Sequence, residues 1–175
     1  MKHLYYVRHG ISVRNQQNVF AGSDDTPLAP EGRRQARIAG KEAKKLHIDY
    51  IVSSPLSRAL ETAQIIADEI GYPRNAIEVN QLFTERHFGI LEGQPWFPNL
   101  DLDGTAEIET VPSLLERSKQ ALDFLYSLKA ENVLVVGHGS FGRAIRHHLS
   151  PDRPYQNRTS NKQTVINNAE IEKWI

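Results

Sequence analysis

Asn132-Val133-Leu134-Val135-Val136-Gly137-His138-Gly139 is the stretch that decides the fold. Val-Leu-Val-Val without polar alternation suits a strand covered on both faces, as in a parallel sheet flanked by helices. Gly139–Leu149 then reads as a helix. An earlier segment ends in nearly the same way. Lys2–Val7 is apolar and aromatic, and it stops at Arg8-His9-Gly10.

Between these two strands the pattern alternates. Pro30 opens a helix with Ala36, Ala39, Ala43 and Leu46 at helical spacing, and Asp49–Ser53 reads as a short strand. Ser54 as N-cap with Pro55 behind it starts a helix whose buried face is Leu56, Ala59, Leu60, Ala63, Ala67 and Ile70, ended by Gly71 and Pro73. Ala76–Val79 suits a further strand. Ser113-Leu114-Leu115-Glu116 has the form of a capping box, opening a helix through Leu128 whose apolar face is interrupted by Ser118. Thr164–Ile166 and Glu170–Trp174 read as a terminal strand pair around Asn167-Asn168. Ile11–Ala29 and most of Gln81–Glu109 lack a steady period and read as loops, which at such lengths are usually functional. The expected fold is an α/β three-layer α/β/α sandwich with a largely parallel mixed sheet. A chain of 175 residues fits one domain, residues 1–175.

Composition narrows the function. Lys plus Arg and Asp plus Glu each total 21, so no global field advertises a nucleic-acid or membrane partner. With no cysteine there are no disulfides, no thiol catalysis and no cysteine-ligated zinc. The apolar run at the start is too short for a signal sequence and none is long enough to span a bilayer, which points to a soluble cytoplasmic protein.

If the strands ending at Arg8-His9-Gly10 and Gly137-His138-Gly139 are neighbours in one parallel sheet, both imidazoles face one crevice, where α/β sheets bind ligands. Arg58, in the first turn of a helix, adds a guanidinium at an end that already favours anions. Arginine binds phosphate bidentately. His9 then suits a nucleophile that accepts a phosphoryl group. Taken singly, Arg58 is equally a solvated charge and His138 a satisfied core histidine.

Arg8-His9-Gly10 with Ser12 and Asn15, then Pro27-Leu28, Gly32 and Gln35-Ala36, resemble the opening of the histidine phosphatase superfamily, which includes the cofactor-dependent phosphoglycerate mutases. Ser53-Ser54-Pro55-Leu56-Ser57-Arg58-Ala59 with Thr62-Ala63 is similar to its second motif. Glu85-Arg86-His87-Phe88-Gly89 with Glu92-Gly93 resembles the acid-bearing loop, and Val135-Val136-Gly137-His138-Gly139 the last motif. The motifs stand in family order from Tyr6 to Glu170. The resemblance implies a phosphoglycerate mutase-like fold and a phosphoric monoester hydrolase of histidine acid type. His9 would be the nucleophile and Glu85 the general acid and base, with a salt bridge to Arg86 as its structural alternative. Arg8, Arg58 and His138 would hold the phosphoryl oxygens. Asn15, Ser12, Gly22, Arg86 and Gly139 would bind phosphate or substrate. No metal and no cofactor are implied, and the partner is a small phosphomonoester. The assembly is left open, a homodimer being one form it allows.

The chain also departs from the pattern. Ile11 and Ala21 replace polar residues, Val19 replaces an arginine, and Phe88 stands for the tyrosine of the mutase version. From Phe88 through Glu116 there is no Lys or Arg, but Glu92, Asp101, Asp103, Glu107, Glu109 and Glu116 are present. Such a lid clamps a second anionic group poorly and favours hydrolysis over phosphoryl return. Trp96, Phe97, Pro95 and Pro98 suit either an apolar wall for a leaving group or a loop anchored on the core. The alternatives are a phosphoglycerate mutase and a non-catalytic module that binds phosphorylated ligands. Gly137-His138-Gly139-Ser140-Phe141-Gly142 has the form of a dinucleotide-binding G-x-G-x-x-G, but too little chain follows for the required βαβ unit. His147-His148 has no carboxylate at matching helical spacing and reads as exposed helix.

Overall fold

The computed structural model describes residues 1–96, 102, 104–150, 155 and 165–175. Five strands, β1 (His3–Arg8), β2 (Tyr50–Ser53), β3 (Glu78–Val79), β4 (Asn132–Gly137) and β5 (Ile171–Lys173), form one sheet in the order β3-β2-β4-β1-β5. All neighbours are parallel except β1 and β5. The helices are α1 (Val13–Gln16), α2 (Pro30–Ala43), α3 (Ser57–Ile70), α4 (Val111–Ser127) and α5 (Gly139–Leu149).

Successive side chains of a strand point to opposite faces, and β4 supplies both layers of core. Val133 and Val135 pack with Leu4, Tyr6, Phe83, Leu114, Leu125 and Phe141 under α4 and α5. Leu134 and Val136 pack with Tyr5, Val7, Ala39, Ala63 and Ile66 under α2 and α3. That is the expected three-layer sandwich, and it explains why β4 shows no polar alternation. Each such fully buried aliphatic side chain contributes about 1.5–3 kcal/mol. Register sets up the site: Arg8 lies opposite Gly137 and Ser53 opposite Val136, so β1, β4 and β2 end level at one edge.

Four local expectations are corrected. Ser54 is not the N-cap of α3. That position is Leu56, and the first-turn donor Ser57 N is satisfied from a distant loop by Asp25 Oδ1 at 2.7 Å. Ser113 does not cap α4. Thr110 does, its Oγ1 accepting from Ser113 N at 3.3 Å, because Pro112 fits the first turn and moves the start upstream. The terminal strands do not form a hairpin. β5 pairs antiparallel with β1, whose open edge it covers, and Trp174 stacks on Tyr6 with ring centroids 4.1 Å apart. Val165 and Ile166 are not strand, and Thr164 lies outside the described residues. The loop after β1 holds the helical turn α1. The interruption at Ser118 is satisfied rather than exposed, since its hydroxyl donates to Leu115 O at 2.9 Å and meets His148 Nε2 at 3.0 Å. No helix among the described residues is long and apolar enough to cross a membrane.

Candidate active site

The level ends of β1 and β4 bring His9 and His138 together, with ring centroids 5.2 Å apart. Both are buried. The turn after His9 presses against the first turn of α2. A Cβ on Gly10 would fall 2.4 Å from Gly32 O, so backbone meets backbone and only glycine fits. Thr62 on α3 locks the turn: its Oγ1 accepts from Gly10 N at 3.1 Å and donates to Arg58 O at 2.7 Å.

These contacts define the tautomer of His9. Its Nδ1 is 2.7 Å from Gly10 O, and a carbonyl only accepts, so Nδ1 carries the proton. Nε2 is left with its lone pair and accepts from Arg58 Nε at 3.2 Å. Arg58 is itself buried and held by loop carbonyls, Nη1 donating to Asp24 O at 2.7 Å and Nη2 to Gly22 O at 2.6 Å. Burial pushes its pKa down to about 10. Gly22 has φ +51°, and a Cβ there would strike Glu92 Oε1 at 2.2 Å, so its carbonyl can be aimed this way only by glycine.

His138 is fixed from two sides. Tyr6 Oη accepts from its backbone N and donates to its carbonyl, both at 2.8 Å, and its Nε2 meets Ser54 Oγ at 2.8 Å. Burial, then Arg58 and Arg8, hold the pKa of His9 well below the ordinary imidazole range. For His138 the causes are burial, then Arg58, His9 and Arg8. Both are therefore neutral when folded at pH values where an unfolded chain, with imidazoles titrating near about 6.5, takes up protons. Stability is expected to be flat above that value and to fall as pH drops below it. The slope approaches about 1.4 kcal/mol per pH unit for each buried imidazole. Urea unfolding at pH 7.5, 6.5 and 5.5 measures this, and equal stability at the two lower values would contradict it.

Glu85 lies at the start of α5. Its carboxylate accepts from Ser140 N at 3.0 Å, Phe141 N at 2.9 Å and Arg86 N at 2.9 Å. A carboxylate is stabilised by the free N–H groups of a helix N-terminus. The alternative of a Glu85–Arg86 salt bridge is replaced by that backbone contact. Arg86 is buried, donates from Nε to Glu109 O at 2.8 Å and covers the Phe88 ring.

A cavity of about 190 Å³ is lined by Arg8, Asn15, Glu85, Gly139, Ser140 and Arg143, together with apolar side chains. Gly22 also lines it, whereas Ser12 and Arg86 do not, and His9, Arg58 and His138 are buried behind its lining. Ser12 instead caps α1, exchanging bonds with Asn15 through Ser12 Oγ at 3.2 Å and Asn15 Oδ1 at 3.1 Å. Asn15 keeps its amide NH₂ as a donor end. Sequence reasoning missed Arg143, which follows Gly139 by four residues and so shares its helix face. It also missed Asn168, which donates from Nδ2 to His9 O at 2.8 Å. Spacing could have found the first. No local signal marks the second.

The model of the histidine phosphatase superfamily (branch 1) matches residues 4–173. A Bacillus subtilis protein carrying the name uncharacterized phosphatase PhoE is 32% identical over 182 residues, covering 96% of this chain and 89% of its own. The 2,3-bisphosphoglycerate-dependent phosphoglycerate mutase of Cytophaga hutchinsonii is 33% identical over 168 residues, covering 86% and 78%. The solved structure of a mycobacterial glucosyl-3-phosphoglycerate phosphatase superposes with a TM-score of 0.80 at 23% identity, over 99% of this chain and 90% of that one. With matching motifs in order and a family match along nearly its whole length, the chain belongs to branch 1 of the histidine phosphatase superfamily.

Proposed function

We propose that the protein is a phosphomonoester hydrolase of histidine acid type, working through a covalent phosphohistidine on His9 without a metal. The observation that carries this is the tautomer: Nδ1 is spent on Gly10 O, so Nε2 is the nitrogen that holds the nucleophilic lone pair, met by Arg58 Nε until a phosphoryl group takes that place. In the first step the Nε2 lone pair attacks phosphorus, the P–O ester bond breaks, and Glu85, having taken up a proton from solvent, passes it to the departing oxygen. Water then attacks phosphorus, the P–N bond breaks, and Glu85 takes the water proton, releasing inorganic phosphate and neutral His9. Arg8, Arg58, His138 and the Asn15 amide hold the equatorial oxygens and stabilise their charge. Two nitrogens shielded from solvent, Arg8 Nε and His138 Nδ1, have no partner among the described residues. A phosphoryl oxygen would satisfy a buried donor of that kind.

Because the fold keeps His9 unprotonated, the acid limb of kcat/KM should lie well below the usual imidazole pKa. Quenching in alkaline detergent during turnover of radiolabelled substrate tests the mechanism: the label should stay on protein, survive alkali and be lost on later acid treatment, as a phosphoramidate is. Turnover with no trapped label at any quench time would remove the covalent route.

Two observations favour the mutase reading: the similarity to the Cytophaga hutchinsonii mutase, and Arg143 on the cavity wall, a cation that donates to Ser140 Oγ beside the place of a second anionic group. Against it stands the lid. Glu109 is spent on Arg117 at 2.8 Å and Glu92 on Ser23 and Phe88 N, so these acids organise loops, and they leave no cation in the described part of that segment. Interconversion of phosphoglycerate isomers faster than their hydrolysis would select the mutase.

A further inference from the structure

Besides the charged and polar groups Arg8, Asn15, Glu85, Ser140 and Arg143, the described lining of the cavity includes a run of apolar residues, Val19, Phe20, Ala21, Phe88, Trp96 and Leu102, which form its apolar wall. We propose that this apolar wall receives the alcohol portion of the substrate, making the enzyme selective for phosphate monoesters of apolar alcohols over those of polyols or carboxylated alcohols. The proposal rests on the hydrolase reading.

The wall is preformed. Phe20, Phe88, Leu102 and Ile108 make a small core of their own, backed by Leu91, with the two phenyl rings 5.2 Å apart. Two loops build it and are stitched together. Phe20 N donates to Gln94 O at 2.9 Å, Gly93 N to Phe20 O at 2.8 Å, and Trp96 N to Asn18 O at 3.0 Å. Glu92 closes the seam, its Oε1 accepting from Ser23 N at 2.8 Å and Phe88 N at 2.9 Å. A wall held this firmly presents apolar surface without reorganising.

Trp96 is 47% exposed and borders a second open lobe with Arg8, Asn15, Asn18 and Val19. An indole left half in water beside a phosphate site gains by being covered. A polyol placed against Phe20, Phe88 and Leu102 would lose water from its hydroxyls and find no polar side chain among those three residues, a cost that sites exploit to reject polar analogues. Each methylene buried is worth about fourfold in binding.

The test compares kcat/KM for benzyl and n-hexyl phosphate with glycerol 1-phosphate and 3-phosphoglycerate, all esters of alkanols, so that leaving-group reactivity differs little. The apolar esters should lead by about thirtyfold. In Trp96→Ala the ratio of benzyl to glycerol ester should fall by about tenfold, and Val19→Arg should raise the relative rate for 3-phosphoglycerate. Hydrolysis of all four esters without that preference overturns this proposal and leaves the hydrolase reading standing. Preference unchanged in both variants also overturns it, because the selectivity then lies elsewhere. Hydrolysis of none of them by the wild type removes both.

Discussion

His9→Ala is expected to abolish turnover of para-nitrophenyl phosphate, with kcat reduced by about 10⁵-fold or more, the scale seen when a covalent nucleophile is deleted. The loss should be accompanied by disappearance of the acid-labile label on the protein. It should not be a folding defect, since the imidazole makes two hydrogen bonds, to Gly10 O and from Arg58 Nε, and the cavity left is small. The stability lost is about 1–3 kcal/mol, read by urea unfolding. The acid-side decline in stability should also become shallower, because one of the two imidazoles that resist protonation has gone. Full activity in the folded variant would end the phosphohistidine mechanism.

The second large effect is at Arg58. Arg58→Lys keeps the charge but replaces a planar fork with a point donor. The fork reaches three acceptors at once, Asp24 O, Gly22 O and His9 Nε2, and a lysine ammonium cannot span them. The expected result is a kcat about 10²–10³-fold lower, the usual loss for one transition-state donor. Stability should fall by about 2–4 kcal/mol as buried carbonyls lose their partner. Since Arg58 also holds down the imidazole pKa, a charge-removing Arg58→Met should move the acid limb of kcat/KM upward while Arg58→Lys moves it less. An unchanged acid limb in both variants would mean that burial and Arg8, not Arg58, tune His9.

Much of the fold was legible because its signals are local. An unalternating β4, a proline in the first turn of α2 and Gly71 after α3 each act within a few residues, and the structure places elements there. The caps were misread for the opposite reason. Ser54 and Ser113 are good N-caps by type, but the donors at the start of α3 are met by Asp25, thirty-two positions away, and Thr110 lies nearer the true start of α4. Ser12 and Arg86 carry the right residue types in the right motifs, yet one caps a helical turn and the other is spent on Glu109 and Phe88.

What the sequence determined by itself was the set of candidate groups: an imidazole after each of two parallel strands, a guanidinium in a helix's first turn, a glutamate in a loop. Residue type and strand-end position suffice for that, because they follow from short-range pattern. The tertiary structure alone decided which nitrogen of His9 carries the proton, that Glu85 rests on the start of α5, and that Arg143 and a set of apolar side chains line one cavity. Each of these depends on strand register and on loops meeting across the sheet edge. Such contacts are settled by packing between distant segments, which no local periodicity records.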